Sequence, residues 1–259
     1  MNLVIDSHIH IYPCYSLQRA FSTLADRFMA IDPQAIKIAC LTERYDCDYF
    51  QELREGRTGD LDSDFSVDRE PNGNFLRVRR STDNLEFSLL PGRQVVAQER
   101  IEVIGLNHPK HIADGTPAKD IVDRILDNGG TPMLAWSPGK WFFGRGKVIL
   151  SLLQRYSPTE MLIGDTSLRP QGWARPFIVR KAQCMGYKVI AGSDPLPFAG
   201  EEENFGTYFS QADGEFEQQN AVDILHSLVS DASIKLKSTG NRSNPVAFAQ
   251  RLHKNAASK

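Results

Sequence analysis

Short apolar runs recur along this chain, and stretches with helical periodicity separate them. They open at residues 3–5 and return at 35–41, 87–90, 95–96, 101–106, 131–136, 161–164 and 188–191. Between them, 17–29, 117–128, 148–154 and 177–185 carry apolar residues at helical spacing. Such alternation is what βα units around a parallel sheet require. The stretch 117–128 has the clearest boundaries: Pro117 in the first turn, apolar Ile121, Val122, Ile125 and Leu126, then Gly129-Gly130 beyond its end. Two more helices are expected near 215–230 and 245–255. The count gives about seven barrel strands, so the expected fold is an α/β, TIM-like, distorted seven-stranded (β/α) barrel with helices added over 215–259. Barrels of roughly 250 residues are commonly one domain, and one domain over 1–259 is expected.

One segment breaks the rhythm. Residues 65–80 alternate in places around Asn72-Gly73, a strong two-residue hairpin signal. They are read as an inserted β-hairpin, as decoration rather than as a lid over the site.

A formal net charge of −2, with acidic and basic residues intermixed, gives no sign of a nucleic-acid surface. The expected partner is a small anionic substrate, with no nucleic acid. The first residues lack the basic start of a signal peptide, and no run approaches the roughly 20 apolar residues of a membrane span. A cytoplasmic location and no membrane partner are therefore expected. Four cysteines, none in a C-x-x-C pair, read as idle thiols.

The first apolar run ends in Asp6-Ser7-His8-Ile9-His10. Residues two apart on a strand share a side, so Asp6, His8 and His10 are expected on one face. At the C-terminal mouth of a barrel strand that face looks into the active-site cavity, where two imidazoles suit zinc, manganese or iron. The last run leads into Gly192-Ser193-Asp194, which puts a carboxylate on the same rim as a further ligand or as a proton acceptor. Taken alone, Ser193-Asp194 would read as a turn or cap.

The ordered succession D-S-H-I-H, L-T-E, L-L-P-G-R-Q with I-E-V-I-G-L behind it, N-G-G-T-P-M-L-A-W and A-G-S-D resembles the polymerase and histidinol phosphatase (PHP) family, with the amidohydrolase-like superfamily as the wider relation. The resemblance runs from Leu3 to Asp194. It implies a seven-stranded distorted barrel and hydrolysis of phosphate esters with up to three metal ions. Several positions depart from the pattern. An aspartate-histidine pair is replaced by Glu43-Arg44, a bridging glutamate by Gln94, a histidine after alanine by Trp136, and the final histidine by Leu196. On this resemblance His8, His10 and Asp194 match the first metal position, and Glu43 and Gln94 are further candidates. Without the bridging carboxylate, two dications lose the negative charge that lets them sit together. One divalent ion (zinc, manganese or iron), or none, is expected.

Other residues are candidates for the remaining chemistry. Lys140 and Arg145 lie in a glycine-rich basic stretch before a helix, a potential anion cradle or a solvated loop. Asp165 is a candidate general base or ligand, and Arg169 a candidate clamp for phosphate or carboxylate. The run Glu201-Glu202-Glu203 reads as a helix start or surface charge. The leading expectation is a metal-dependent phosphoesterase acting on a small phosphorylated compound. Asp194 and Asp165 would be catalytic, while Lys140, Arg145 and Arg169 would bind substrate. The alternatives are a catalytically inactive barrel binding an anionic ligand or partner, and a mononuclear amidohydrolase-type hydrolase. For the last, His108 is the one candidate for the extra mid-barrel histidine.

Overall fold

The computed structural model describes residues 2–70, 74–216 and 219–257. The chain opens with β1 (Asn2–Ile9), α1 (Leu17–Ile31), β2 (Ile36–Glu43) and α2 (Tyr49–Arg54). A meander of β3 (Phe65–Arg69), β4 (Leu76–Arg80) and β5 (Leu85–Val96) follows, then β6 (Glu102–Leu106), α3 (Ala118–Asp127), β7 (Thr131–Ala135) and α4 (Gly144–Arg155). Next come β8 (Leu162–Thr166), α5 (Phe177–Cys184), β9 (Val189–Gly192), a 3-10 turn (Glu201–Asn204), β10 (Tyr208–Asp213), α6 (Ala221–Ser230), β11 (Lys237–Gly240) and α7 (Pro245–Ala257).

The expected α/β barrel is present, with a different strand count. Among the described residues one sheet runs β11-β10-β1-β2-β5-β6-β7-β8-β9, nine strands rather than seven, with β3 and β4 branching from β5. β10 and β11 escaped the sequence reading because Tyr-Phe-Ser-Gln-Ala-Asp and Lys-Ser-Thr-Gly form no apolar run. The sheet is also mixed. β6 runs antiparallel to both neighbours, and β10 runs antiparallel to β1. β9 returns beside β1, so the barrel nearly closes. Hydrogen bonds tie that seam, including the Asp194 amide to the His8 carbonyl at 2.8 Å and Ser7 Oγ to the Ala191 carbonyl at 3.0 Å.

The seven strands β1, β2 and β5–β9 each turn apolar side chains into the barrel, among them Ile5, Ile38, Leu90, Ile104, Met133, Leu162 and Ile190. Ile224, Leu225 and Leu228 of α6 join this same interior cluster. Outside, α1 buries Leu17, Ala20, Phe21, Leu24, Ala25 and Phe28, the i, i+3, i+4 stripe of an amphipathic helix. Ser16 caps it by accepting from the Arg19 amide at 3.1 Å. Phe21 and Phe28 are fully buried, and each contributes roughly 1.5–3 kcal/mol.

The segment around Pro91-Gly92 shows why the chain folds as it does. The two apolar runs flanking it form one continuous strand, β5. β4 pairs with it as far as Leu89, and β6 pairs from Gly92 onward. Pro91 sits where one partner has ended and the other has not begun, so its missing N–H disrupts neither antiparallel ladder. A Cβ on Gly92 would lie 2.9 Å from the Gly105 carbonyl, so only glycine lets β6 approach this closely. The strand then carries Gln94 to the rim.

The 65–80 hairpin exists as β3 and β4, but β4 also pairs with β5, which makes it an extension of the main sheet. Its expected Asn72-Gly73 turn lies outside the described residues.

Candidate metal centre

The strand alternation expected of Asp6, His8 and His10 does not hold. The register between β1 and β2 shifts between Asp6 and Ile9. Before the shift Leu3 and Ile5 face the barrel interior, while Val4 packs outward beneath α1. After it Ile9 packs outward, leaving His8 and His10 to turn inward. Asp6 therefore points away from the imidazoles. Its carboxylate accepts from the Ser193 amide (2.9 Å), the Gly206 amide (2.9 Å), the His8 amide (3.2 Å) and the Ser193 hydroxyl. Burial pushes the Asp6 carboxyl up to about 6 against these hydrogen bonds. A bulge that re-aims side chains beside a site is a recurrent device.

Asp194 reaches the same place from β9. It adopts φ of 50°, the left-handed region, held by its amide bond to the His8 carbonyl at 2.8 Å. A Cβ on Gly192 would lie 2.6 Å from the His8 amide nitrogen, so glycine is needed for β9 to approach β1. Burial alone would raise the Asp194 carboxyl. The His8 and His10 imidazoles and the Arg251 guanidinium outweigh it and hold the group down at about 2. Burial pushes His10 below its ordinary value, against the hydrogen bond and charge of Asp194, which raise it.

The donor atoms converge on one point. His8 Nε2 lies 2.9 Å from His10 Nε2 and 3.0 Å from Gln94 Oε1, and Asp194 Oδ1 lies 3.6 and 3.7 Å from the two imidazole nitrogens. A tetrahedron of ligands at about 2.0–2.1 Å from a zinc ion has edges of roughly 3.4 Å, which these separations bracket. Two unprotonated imidazole nitrogens at 2.9 Å repel unless a proton or cation lies between them. His8, His10 and Asp194 form a group able to hold a metal, and all three are buried. Neither Nδ1 has a hydrogen-bond partner from the protein, so the outer shell that commonly orients metal-bound histidines is absent. The donors fit one divalent ion. With one carboxylate and one neutral amide, they do not fit two.

The cluster opens into a cavity of about 370 Å³ lined by His10, Gln94, Asp194, Arg44, Glu102 and Lys140, among others. Several expected residues lie elsewhere. Glu43 is not a ligand: its carboxylate accepts from the Phe50 amide at 3.2 Å and faces Arg93 at 3.8 Å, anchoring the start of α2. Asp165 and Arg169 do not line the cavity. They form a buried two-pronged ion pair at 2.8 and 2.6 Å, with Tyr208 donating to Asp165 at 2.9 Å. Each side chain is occupied by the other, which leaves little of either for substrate. Arg145 folds back onto the Gly139 carbonyl at 2.9 Å and is no cradle. Lys140 does line the cavity but is paired with Glu102.

His108, the histidine an amidohydrolase-type centre would need, packs its Cβ beside Gly105 and Gly130 and lies outside the cluster. Trp136 packs in the outer cluster with Trp141 and Ile149. Leu196 lines the cavity without a donor.

Residues missed in the sequence complete the surroundings. Glu102 accepts from Ser137 Oγ at 2.5 Å. Leu252 and Asn255 of α7 also line the cavity. Glu201 and Glu202 are buried rather than a surface run, and Arg251 from α7 grips Glu201 (2.6 and 2.9 Å) while reaching the Asp194 carbonyl at 3.3 Å. A glutamate run gives no hint of a distant arginine partner.

No family model matches the chain, and no curated protein matches it in sequence. Solved structures share its fold. One is PsfC from Pseudomonas syringae PB-5123, 14% identical, with a TM-score of 0.62 and coverage of 100% of this chain and 99% of that one. Another is the lesion-specific endonuclease PfuEndoQ from Pyrococcus furiosus, 11% identical, with a TM-score of 0.50 and coverage of 93% of this chain and 59% of that one. A third is Endonuclease Q in complex with a 27-mer duplex carrying an abasic lesion at the active site, 11% identical, with a TM-score of 0.51 and coverage of 93% and 60%. At these identities the likeness is one of fold. It agrees with the PHP-like barrel that the motif order resembles. It also corrects one expectation, the exclusion of nucleic acid as a partner: a related fold is seen on a DNA duplex. A net charge summed over the chain does not report the charge of one rim. No helix among the described residues is long and apolar enough to cross a membrane.

Proposed function

We propose that this chain is a PHP-type metal-dependent hydrolase of phosphate esters, with one divalent ion held by His8, His10 and Asp194 and by Gln94 as a neutral fourth donor. The observation that carries the reading is the meeting of His8 in β1, His10 just after it, Gln94 in β5 and Asp194 beyond β9, with His10, Gln94 and Asp194 lining one cavity. Zinc, manganese and iron all suit two imidazoles with oxygen donors. When bound, the ion supplies Lewis acidity toward water and toward a phosphoryl oxygen. Asp194 supplies the anionic charge of the donor set, and its depressed pKa keeps it ionised across the working range. The cavity volume falls in the range of small-molecule sites, roughly 300–1,000 Å³, which favours a small phosphorylated compound. The endonuclease neighbours bring phosphodiesters, including lesion-bearing duplexes, into the substrate screen.

Replacing Asp194 with asparagine tests this. Asparagine tolerates the left-handed backbone, so Asp194→Asn still folds, with a lower melting point from the lost charge contacts, while hydrolysis in a phosphoesterase screen is abolished. Undiminished hydrolysis in the folded variant overturns the reading. A second reading, a barrel that binds an anionic ligand without turnover, draws on Gln94, Trp136 and Leu196 standing where the resemblance implies a bridging carboxylate and histidines. It predicts ligand binding without turnover on every ester screened.

A further inference from the structure

We propose that Arg44 is the anion-binding residue of this cavity and seats a tetrahedral oxyanion, the phosphoryl group of the substrate, beside the His8–His10–Asp194 cluster. The inference rests on the hydrolase reading for the identity of the ligand, but on Arg44's own surroundings for the site. Arg44 directly follows β2 and lines the same cavity as His10, Gln94 and Asp194. Its guanidinium carbon lies 5.9 Å from the centroid of the Tyr12 ring, and that ring lies 5.4 Å from the His10 ring at an interplanar angle of 34°. The stack Arg44–Tyr12–His10 therefore spaces a planar cation one ring away from the donor cluster. The ring contact and a side-chain hydrogen bond to Tyr12 hold the guanidinium in place, and its remaining N–H groups are available to an anion.

The other cations around this rim are already engaged. Lys140 is paired with Glu102, Arg169 with Asp165, and Arg251 with Glu201. Arg93 donates to the Cys47 carbonyl and to Asp48, each at 2.6 Å. Arg44 has a single ionic contact, Asp46 at 3.4 Å, made by one nitrogen to a half-exposed carboxylate. Its fork of donors matches the oxygens of a phosphoryl group, for which bidentate arginine contact is the favoured geometry. A fixed positive charge here also compensates a phosphoryl anion in a site whose donors fit only one dication.

The test is calorimetric titration of inorganic phosphate into the full chain, run metal-free and zinc-loaded, with zinc uptake measured on the same samples. Wild type binds phosphate saturably. Arg44→Gln weakens that binding by roughly tenfold or more, and Arg44→Lys recovers part of it because charge returns without the planar fork. Arg124→Gln, on the exposed side of α3, stays within about twofold of wild type. Arg44 is partly exposed, so both of its variants fold, which melting curves verify. Equal phosphate affinity in wild type and Arg44→Gln, or no saturable binding by wild type in either state, overturns the inference. Failure of zinc uptake instead counts against the hydrolase reading, and the metal-free titration still judges Arg44.

Discussion

Glu43 is 2% exposed, and burial pushes its carboxyl up to about 7 despite the nearby Arg93 charge and the Phe50 amide. Its folded pKa lies above the ordinary value of 4.5, so the folded state holds the proton more tightly. The stability this contributes is fully present below about pH 4.5 and is lost as pH rises through about 7. Glu43→Gln keeps the acceptor for Phe50 and removes the buried charge. The variant gains stability over wild type between pH 5 and 8, by an amount on the order of 3 kcal/mol at the upper end. Denaturant melts across that range read the difference, to which Asp6 contributes equally in both proteins. A difference that does not change with pH contradicts the assignment. At this scale the grouping of His8, His10 and Asp194 was legible, because ligating residue types stood at the ends of apolar runs, whereas Gln94 was a candidate only through the family resemblance. Glu43, Asp165 and Arg169 were misread for one shared reason: a charge at a strand end can serve the fold as readily as the cavity, and only its partner decides.

The elements show the same division. Apolar periodicity located α1, α3, α4, α5, β7, β8 and β9 to within a few residues. It could not show the register shift in β1, because a bulge leaves the residue pattern unchanged while reversing which side chains face inward. The role of α7 was equally hidden. Its sequence shows a helix but not what Arg251 meets, and Arg251 is buried against Glu201 and touches the Asp194 turn. Arg251→Met leaves Glu201 as an uncompensated buried charge and costs about 3–5 kcal/mol. Adding Glu201→Gln restores much of that loss. Urea denaturation of the single and double variants measures both, and additive losses in the double variant refute the pairing.

For the whole molecule, the α/β barrel followed from alternation alone. The mixed sheet and the two extra strands did not, because β6 carries the same apolar pattern whichever way it runs. The departures from the PHP resemblance can be placed in the fold. With Gln94, Trp136 and Leu196 at the departing positions, one group among the described residues, His8, His10 and Asp194, could hold a metal, and the proposed occupancy is one ion where the resemblance implies up to three. The decisive measurement is metal stoichiometry. Metal-free protein is titrated with zinc or manganese and bound ion is counted by mass spectrometry, for wild type and for His8→Ala/His10→Ala, with folding verified by circular dichroism. One ion per wild-type chain, lost in the folded double variant, is the expected result. No bound ion in wild type, two ions per chain, or an undiminished ion in the variant would contradict a centre built by His8, His10 and Asp194.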